Sequence, residues 1–507
     1  MKSKKSMFII CLLGLQVIGS TVTAQTSSKV NSDQHRPIIH FSPNANWMND
    51  PNGMVYHNGT YHLFFQYHPH STIWGPMHWG HATSTDMINW KEQPIAIYPD
   101  SIGTIFSGSA VLDKNNTSGF GKNGKAPLVA IFTHHNADGE KAGKKDYQNQ
   151  SLAYSNDDGK TWIKYSGNPV VKNPGIIDFR DPKVMWYEPQ KKWIMTLATK
   201  DIITFYSSPD LKSWTKESEF GEGKGAHGGV WECPDLITLD DNGKPRWVLI
   251  VNLNPGAPNG GSGTQYFVGE FDGKTFTSDQ LKTMWLDYGP DNYAGVTWSN
   301  TGNRKILLGW MSNWLYANQV PTQKWRNAMT IPRELKLKRV GDDVLVTSVP
   351  VKEFSAIKTK PMLVKNLSLT SKGSNISTTG KVQIPCTINL LLEAVKDFSI
   401  LLSNSIGEEV KIGFDKTTNQ YFIDRTKSGK IDFQKDFAAK HFAPRFSTSP
   451  KMNMTLVIDV SSVELFADDG LTVMTEIFFP NKPFDQIRIL SVDNAVIKQL
   501  EYSVLKK

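Results

Sequence analysis

Three acids stand in unusual surroundings in this chain. Asp50 lies in Trp47-Met48-Asn49-Asp50-Pro51-Asn52-Gly53, Asp181 in Phe179-Arg180-Asp181-Pro182, and Glu232 in Val230-Trp231-Glu232-Cys233-Pro234-Asp235. Each has aromatic or apolar neighbours and a proline within two positions, which suits a carboxylate held at the end of a buried strand. Taken singly, each reads better as a turn residue or half of a structural ion pair; the three together point to acid/base chemistry. Two carboxyl groups about 5 Å apart can cleave a glycosidic bond with retention, one attacking the anomeric carbon and the other protonating the departing oxygen.

Such acids, far apart in the chain, must be brought together by the elements that carry them. From about Ile38 to Leu337 the sequence runs as short β-like segments, such as Tyr61–Tyr67, Leu128–Phe132 and Trp247–Val251, separated by Gly, Asn, Asp and Pro turns and with almost no helical periodicity. A degenerate repeat orders them: Ser84-Thr85-Asp86 with Trp90, Ser155-Asn156-Asp157 with Trp162, Ser207-Ser208-Pro209-Asp210 with Trp214, and Asp272-Gly273-Lys274-Thr275-Phe276. A polar turn delivering an aromatic residue into the next strand, recurring roughly every 50 to 70 residues, marks stacked four-stranded blades rather than a single sandwich. With the strands between Tyr293 and Lys338 the count is five blades. Asp50, Asp181 and Glu232 then fall in the first, third and fourth, at positions open to innermost strands, which converge on one funnel.

The expected fold is all-β: a five-bladed β-propeller over 37–345, a linker at 346–362 where Pro350 and Pro361 bracket a charged stretch, and a β-sandwich over 363–507. The sandwich reading rests on alternating runs such as Phe398–Leu402, Met454–Val460 and Val463–Ala467.

At this level the sequence closely resembles glycoside hydrolase family 32, the family of invertases, inulinases and levanases. The resemblance rests on Trp47 to Gly53, Arg180-Asp181-Pro182 and Glu232-Cys233-Pro234, intact and in order. Phe106-Ser107-Gly108-Ser109, Gly309 to Trp314, Trp325-Arg326 and Ile331 to Leu335 support it. It covers nearly the whole mature chain and is weaker in the sandwich. It implies the propeller-plus-sandwich fold, Asp50 as nucleophile, Glu232 as acid/base, and Asp181 beside Arg180 as the residue that binds sugar hydroxyls and stabilises the transition state. Asn49, Gln66, Trp74, Ser107 and Trp310 match residues lining the fructose subsite, with Trp310 favoured over Trp314 as the sugar platform. The implied substrate is a fructan or fructooligosaccharide. The implied action is retaining release of terminal fructose from levan, inulin or sucrose, with no cofactor and no metal. The rival readings are an endo-acting levanase or inulinase, an inverting five-bladed enzyme acting on arabinan or xylan, and a non-catalytic carbohydrate-binding propeller. A sialidase lacks support because no arginine triad is present.

The rest of the chain narrows the context. Lys2, Lys4 and Lys5 precede an apolar run from Met7 to about Gly19, too short to span a bilayer, and Val22-Thr23-Ala24 follows as a small-residue cleavage pattern. Residues 1–24 therefore read as a signal peptide cut before Gln25, placing the protein in the periplasm or medium; Ile10 before Cys11 argues against a lipoprotein anchor. Cleavage lowers the formal charge from +8 to +5, because three lysines and no acid are lost. The remaining basic residues are scattered, unlike the patch of a nucleic-acid binder, and no second long apolar run implies a membrane span. Cys233 and Cys386 alone remain, so no disulfide framework supports the fold. His57, His62, His68 and His70, and the pair His134-His135, match no zinc spacing. The Gly-rich Pro255–Gly263 reads as a blade connection. Nothing in the sequence fixes the oligomeric state.

Overall fold

The structure, a computed structural model, describes residues 33–376, 381–492 and 494–507. The expected signal peptide, residues 1–24, lies outside them. Among the described residues no helix is long and apolar enough to cross a membrane.

Between Asn46 and Pro350 the chain forms five sheets, each containing a path of four antiparallel strands. Their innermost strands are Asn46–His57, Thr104–Leu112, Phe179–Tyr187, Val230–Asp241 and Tyr293–Thr297, each in contact with the next around a common axis. Polar turns set the spacing as the repeat suggests. In blades one to four an aspartate accepts backbone N–H groups between the third and fourth strands: Asp86 from Ile88 and Asn89, Asp157 from Thr161, Asp210 from Lys212 and Ser213, Asp272 from Lys274 and Thr275. These are Asx turns, which satisfy a tight connection locally and so can recur at divergent sites.

Apolar side chains between successive blades hold the ring. Phe64 and Trp79 of the first blade pack with Leu128 and Phe132 of the second; Val129 and Leu152 pack with Met195 and Leu197 of the third. Phe205 meets Leu249 and Phe267 of the fourth blade, Val248 and Tyr266 meet Leu307 and Leu345 of the fifth, and Leu308 and Trp310 return to Trp47 and Leu63 of the first. Closure is completed by Trp325–Arg326, which pairs in parallel with Asn46–Trp47. Burial of this kind, at about 25 cal/mol per Å² of apolar surface, is non-directional, so the turns and ladders must supply the register.

The segment expected as a linker, 346–362, is structured. Asp343–Pro350 is the outer strand of the fifth blade, paired with Arg333–Val340 along its length, and Leu345 and Val346 are buried against the fourth blade. A 3-10 helix, Lys352–Ile357, follows and buries Phe354 and Ile357 against Val457, Phe466 and Leu505. The remainder is two six-stranded sheets packed face to face over one apolar core.

The two domains meet through charge as well as apolar surface. His40 lies between Asp459 (2.8 Å) and Glu464 (2.7 Å), while Arg333 joins Glu464 to Asp287. Arg425 of the sandwich reaches Asp291 at 2.6 Å. All these side chains are fully buried.

Candidate active site

All five innermost strands break register at the same end of the ring. The irregularities fall between Met48 and Pro51, between Ile105 and Gly108, opposite Arg180–Lys183, between Glu232 and Asp235, and between Tyr293 and Val296. A bulge leaves residues unpaired and re-aims their side chains, and a proline, having no N–H, fits there and nowhere in a central ladder. That accounts for Pro51, Pro182 and Pro234 following the acids: each proline marks the bulge that turns a carboxylate toward the axis. Asp181 and Cys233 sit at φ of 64° and 43°, a left-handed conformation sustained only because the surroundings over-determine it.

The re-aimed side chains line one cavity of about 330 Å³. Asn49, Asp50, Gln66, Trp74, Ser107, Arg180, Asp181 and Glu232, all expected at the site, lie on its wall. Asp50 is held through both oxygens: Asn49 Nδ2 donates to Oδ1 at 2.9 Å and Ser107 Oγ to Oδ2 at 2.7 Å. Asn49 is itself fixed by Trp47 Nε1, 2.7 Å from its Oδ1. Glu232 receives Arg180 Nε and Nη2 on Oε1, at 3.2 and 2.9 Å, and the Tyr293 hydroxyl on Oε2. Arg180 is anchored on its other side by Asp178. Gln66 is buried and its Nε2 has no partner among the described residues, a donor available to a hydroxyl in the cavity.

Trp310 departs from expectation. It is fully buried between Trp47, Trp314 and Tyr293, with Nε1 donating to Met48 O at 3.1 Å, and it does not line the cavity. Through that bond Trp310 supports the Met48 backbone behind Asp50. Trp314, in the loop beyond, takes the exposed place on the wall.

Three groups were missed as participants. Cys233 donates its backbone N–H to Asp181 Oδ2 at 3.1 Å, and its Sγ lies 3.6 Å from both Asp50 Oδ2 and Asp181 Oδ2. Cys233 stood in the Glu232 motif, yet no type rule assigns a buried thiol to carboxylates. Tyr293 has no local sequence mark and becomes visible only once the fifth blade closes the ring. His135 stacks on Phe106 with centroids 4.2 Å apart and forms a side wall.

Electrostatics divide these groups by role. Burial pushes the Asp181 carboxyl up, Arg180 pulls it back, and the carboxylates of Glu232 and Asp50 push it up again, to about 7. Burial, followed by the neighbouring carboxylates Asp181, Asp50 and Glu232, pushes the Cys233 thiol far up, so it stays a neutral weak donor. Burial and then Glu232 do the same to the Tyr293 hydroxyl. His135 is pushed down to about 4 by burial, with Arg180 adding, and is neutral at pH 7. Cys233 and Cys386 are both free thiols. Among the described residues no group of three His, Cys, Asp or Glu is arranged to hold a metal ion.

Paired carboxyls in a cavity walled by indole rings can serve glycoside hydrolysis, and the comparisons agree. Residues 40–348 match the N-terminal domain and residues 353–504 the C-terminal domain of glycosyl hydrolases family 32. Among curated proteins, the chain is 45% identical to a levanase from Bacillus subtilis, the match covering 100% of this chain and 76% of that protein. It is 41% identical to an extracellular exo-inulinase from Aspergillus niger, covering 95% and 96%. Among solved structures, exo-inulinase from Aspergillus awamori superposes with a TM-score of 0.85 at 38% identity, covering 93% of this chain and 98% of that one. A fructofuranosidase from Schwanniomyces occidentalis complexed with fructosylnystose gives 0.86 at 33%, covering 94% and 99%. The chain belongs to glycosyl hydrolases family 32 and is a glycoside hydrolase acting on fructosides.

Proposed function

We propose that the protein releases terminal fructose, with retention, from fructans of the levan or inulin type and from sucrose. The observation that carries this reading is the cavity itself: three acids from three blades meet at its floor, and Trp74 and Trp314 wall it. Such a space suits the end of a chain rather than its middle, and the relatives named exo-inulinase and levanase support fructose as the unit that enters.

Asp50 attacks C2 of the bound fructosyl unit as Glu232 gives its proton to the departing oxygen. The bond from C2 to that oxygen breaks, a bond from C2 to the Asp50 carboxylate forms, and the leaving sugar departs neutral. Glu232, now ionised, takes a proton from water, whose oxygen attacks C2 and restores Asp50. Asn49 and Ser107 fix the plane of the nucleophile; Arg180 and Tyr293 fix Glu232. Asp181, with Gln66, binds ring hydroxyls while positive charge develops at C2.

The basic and apolar N-terminal segment, together with extracellular relatives, supports export with cleavage before Gln25. The test of the activity is product profiling on inulin, levan and sucrose from the first minutes of reaction. Fructose as the initial product supports the reading, whereas an early ladder of oligosaccharides supports endo action and overturns it.

A further inference from the structure

The wall of the cavity is not held by the propeller alone. Trp314 lies in the loop 313–318, and the same loop carries Asn318, whose Oδ1 accepts the backbone N–H of Trp74 at 2.9 Å. Both indole walls of the cavity therefore depend on one irregular segment, which follows the strand Ile306–Met311 and has no ladder of its own to fix it.

Two contacts fix that segment from the sandwich side. Tyr316 is fully buried, its hydroxyl donates to Asp291 Oδ1 at 2.6 Å, and Arg425 Nη2 donates to the same hydroxyl at 2.9 Å. Arg425 also holds Asp291 Oδ2, so one sandwich side chain clamps both ends of the bond. The second contact runs through the Gly-rich loop of the fourth blade. Asn259 Nδ2 donates to Phe442 O of the sandwich at 2.9 Å and to Tyr288 O at 2.6 Å, and Phe442 N donates back to Asn259 Oδ1 at 3.3 Å. The next residues of that loop grip the wall: Asn313 Nδ2 donates to Gly260 O at 3.2 Å, and Trp314 N to Ser262 Oγ at 3.3 Å. Gly261, at φ 65°, passes so close to Asn313 that a Cβ there would lie 2.1 Å from Oδ1.

We infer that the sandwich is part of the substrate-positioning apparatus: Asn259 and Tyr316, clamped by Phe442 and Arg425, are positioning residues that set the placement of Trp314 and Trp74 against the sugar. Neither touches the cavity, and each acts through a wall residue. This rests on the proposed fructosidase reading of the same site.

The test is a double-mutant cycle on the full-length protein, with KM and kcat measured for a short fructooligosaccharide. Asn259→Ala removes one hydrogen-bonded clamp from a partly exposed loop, and should raise KM about fivefold to tenfold with kcat within about twofold. In a background carrying both Trp74→Ala and Trp314→Ala the same substitution should change KM by less than about twofold, because both groups through which it acts are gone. Tyr316→Phe should behave likewise; if its buried site does not tolerate the change, Asn259→Ala decides alone. An Asn259→Ala effect of equal size in both backgrounds, or a lowered melting temperature with KM unchanged, overturns the inference while leaving the reaction assignment intact. Absence of fructose release by the wild-type protein in the same assay overturns both.

Discussion

The backbone N–H of Cys233 donates to Oδ2 of Asp181 over 3.1 Å, joining the bulge of the fourth blade to that of the third. Both residues hold left-handed backbone conformations, so the contact locks two strained turns against each other at the floor of the cavity.

Asp181 is therefore placed for function at some expense in stability. Its carboxyl is raised by burial to about 7 against an ordinary 3.8, so the folded state favours the protonated form and loses stability as pH rises from 3.8 through about 7. Asp181→Asn removes that liability together with the charge. At pH 8 its melting temperature should equal or exceed that of wild type, while kcat falls about 10²- to 10³-fold, the usual loss when one preorganised electrostatic group is removed. Thermal melts alongside kinetics check both halves; an active and destabilised variant contradicts the assignment.

Glu232→Gln should keep the fold and the Arg180 contact while losing the proton. Proton donation contributes about 10²- to 10⁴-fold to rate, so the first turnover on fructan should fall by that order. A fructoside with an acidic phenol as leaving group should lose far less. Equal losses on both substrates argue against Glu232 as the acid.

The interface between domains has its own pH signature. Burial opposes charge on His40, but hydrogen bonds from its ring to Asp459 and Glu464 outweigh that and raise it from 6.5 to about 9. The group's stabilising contribution is present in full below pH 6.5 and is lost as pH rises through about 9; the interval corresponds to about 3 kcal/mol. The melting temperature should fall between pH 7 and 9.5, and His40→Gln should lower it at pH 6.5 and flatten that slope. An unchanged slope would show that His40 does not couple the domains.

The propeller was legible in the sequence because its repeat is local: Asp86, Asp157, Asp210 and Asp272 cap their own turns whatever lies across the ring. The three acids were legible for a related reason, since Pro51, Pro182 and Pro234 mark each bulge within a residue or two of the acid it aims. Trp310 and Trp314 could not be ranked in that way. They share one segment, and which of them faces the cavity depends on packing against distant residues: Trp310 is enclosed by Trp47 and Tyr293, while Trp314 lies on the wall. Tyr293 and the clamp from Arg425 to Tyr316 were invisible for the same reason: each depends on a partner distant in the chain. The linker expectation rests on Pro350, Pro361 and the charged residues between them, and such local marks do not show that Val346 packs against the fourth blade or that Phe354 and Ile357 pack on the sandwich.

The central claim is that Asp50 forms a covalent fructosyl-enzyme. Asp50→Asn should leave the melting temperature close to that of wild type and nearly abolish turnover, but that alone does not separate a nucleophile from a base. Early-time NMR of the released fructose, before mutarotation, taken with mass spectrometry of acid-quenched enzyme, does. The account predicts product of retained configuration and an adduct of one fructosyl residue on the peptide containing Asp50. Fructose released with inverted configuration, with no adduct at Asp50, would contradict it and leave Asp50 as a base acting on water.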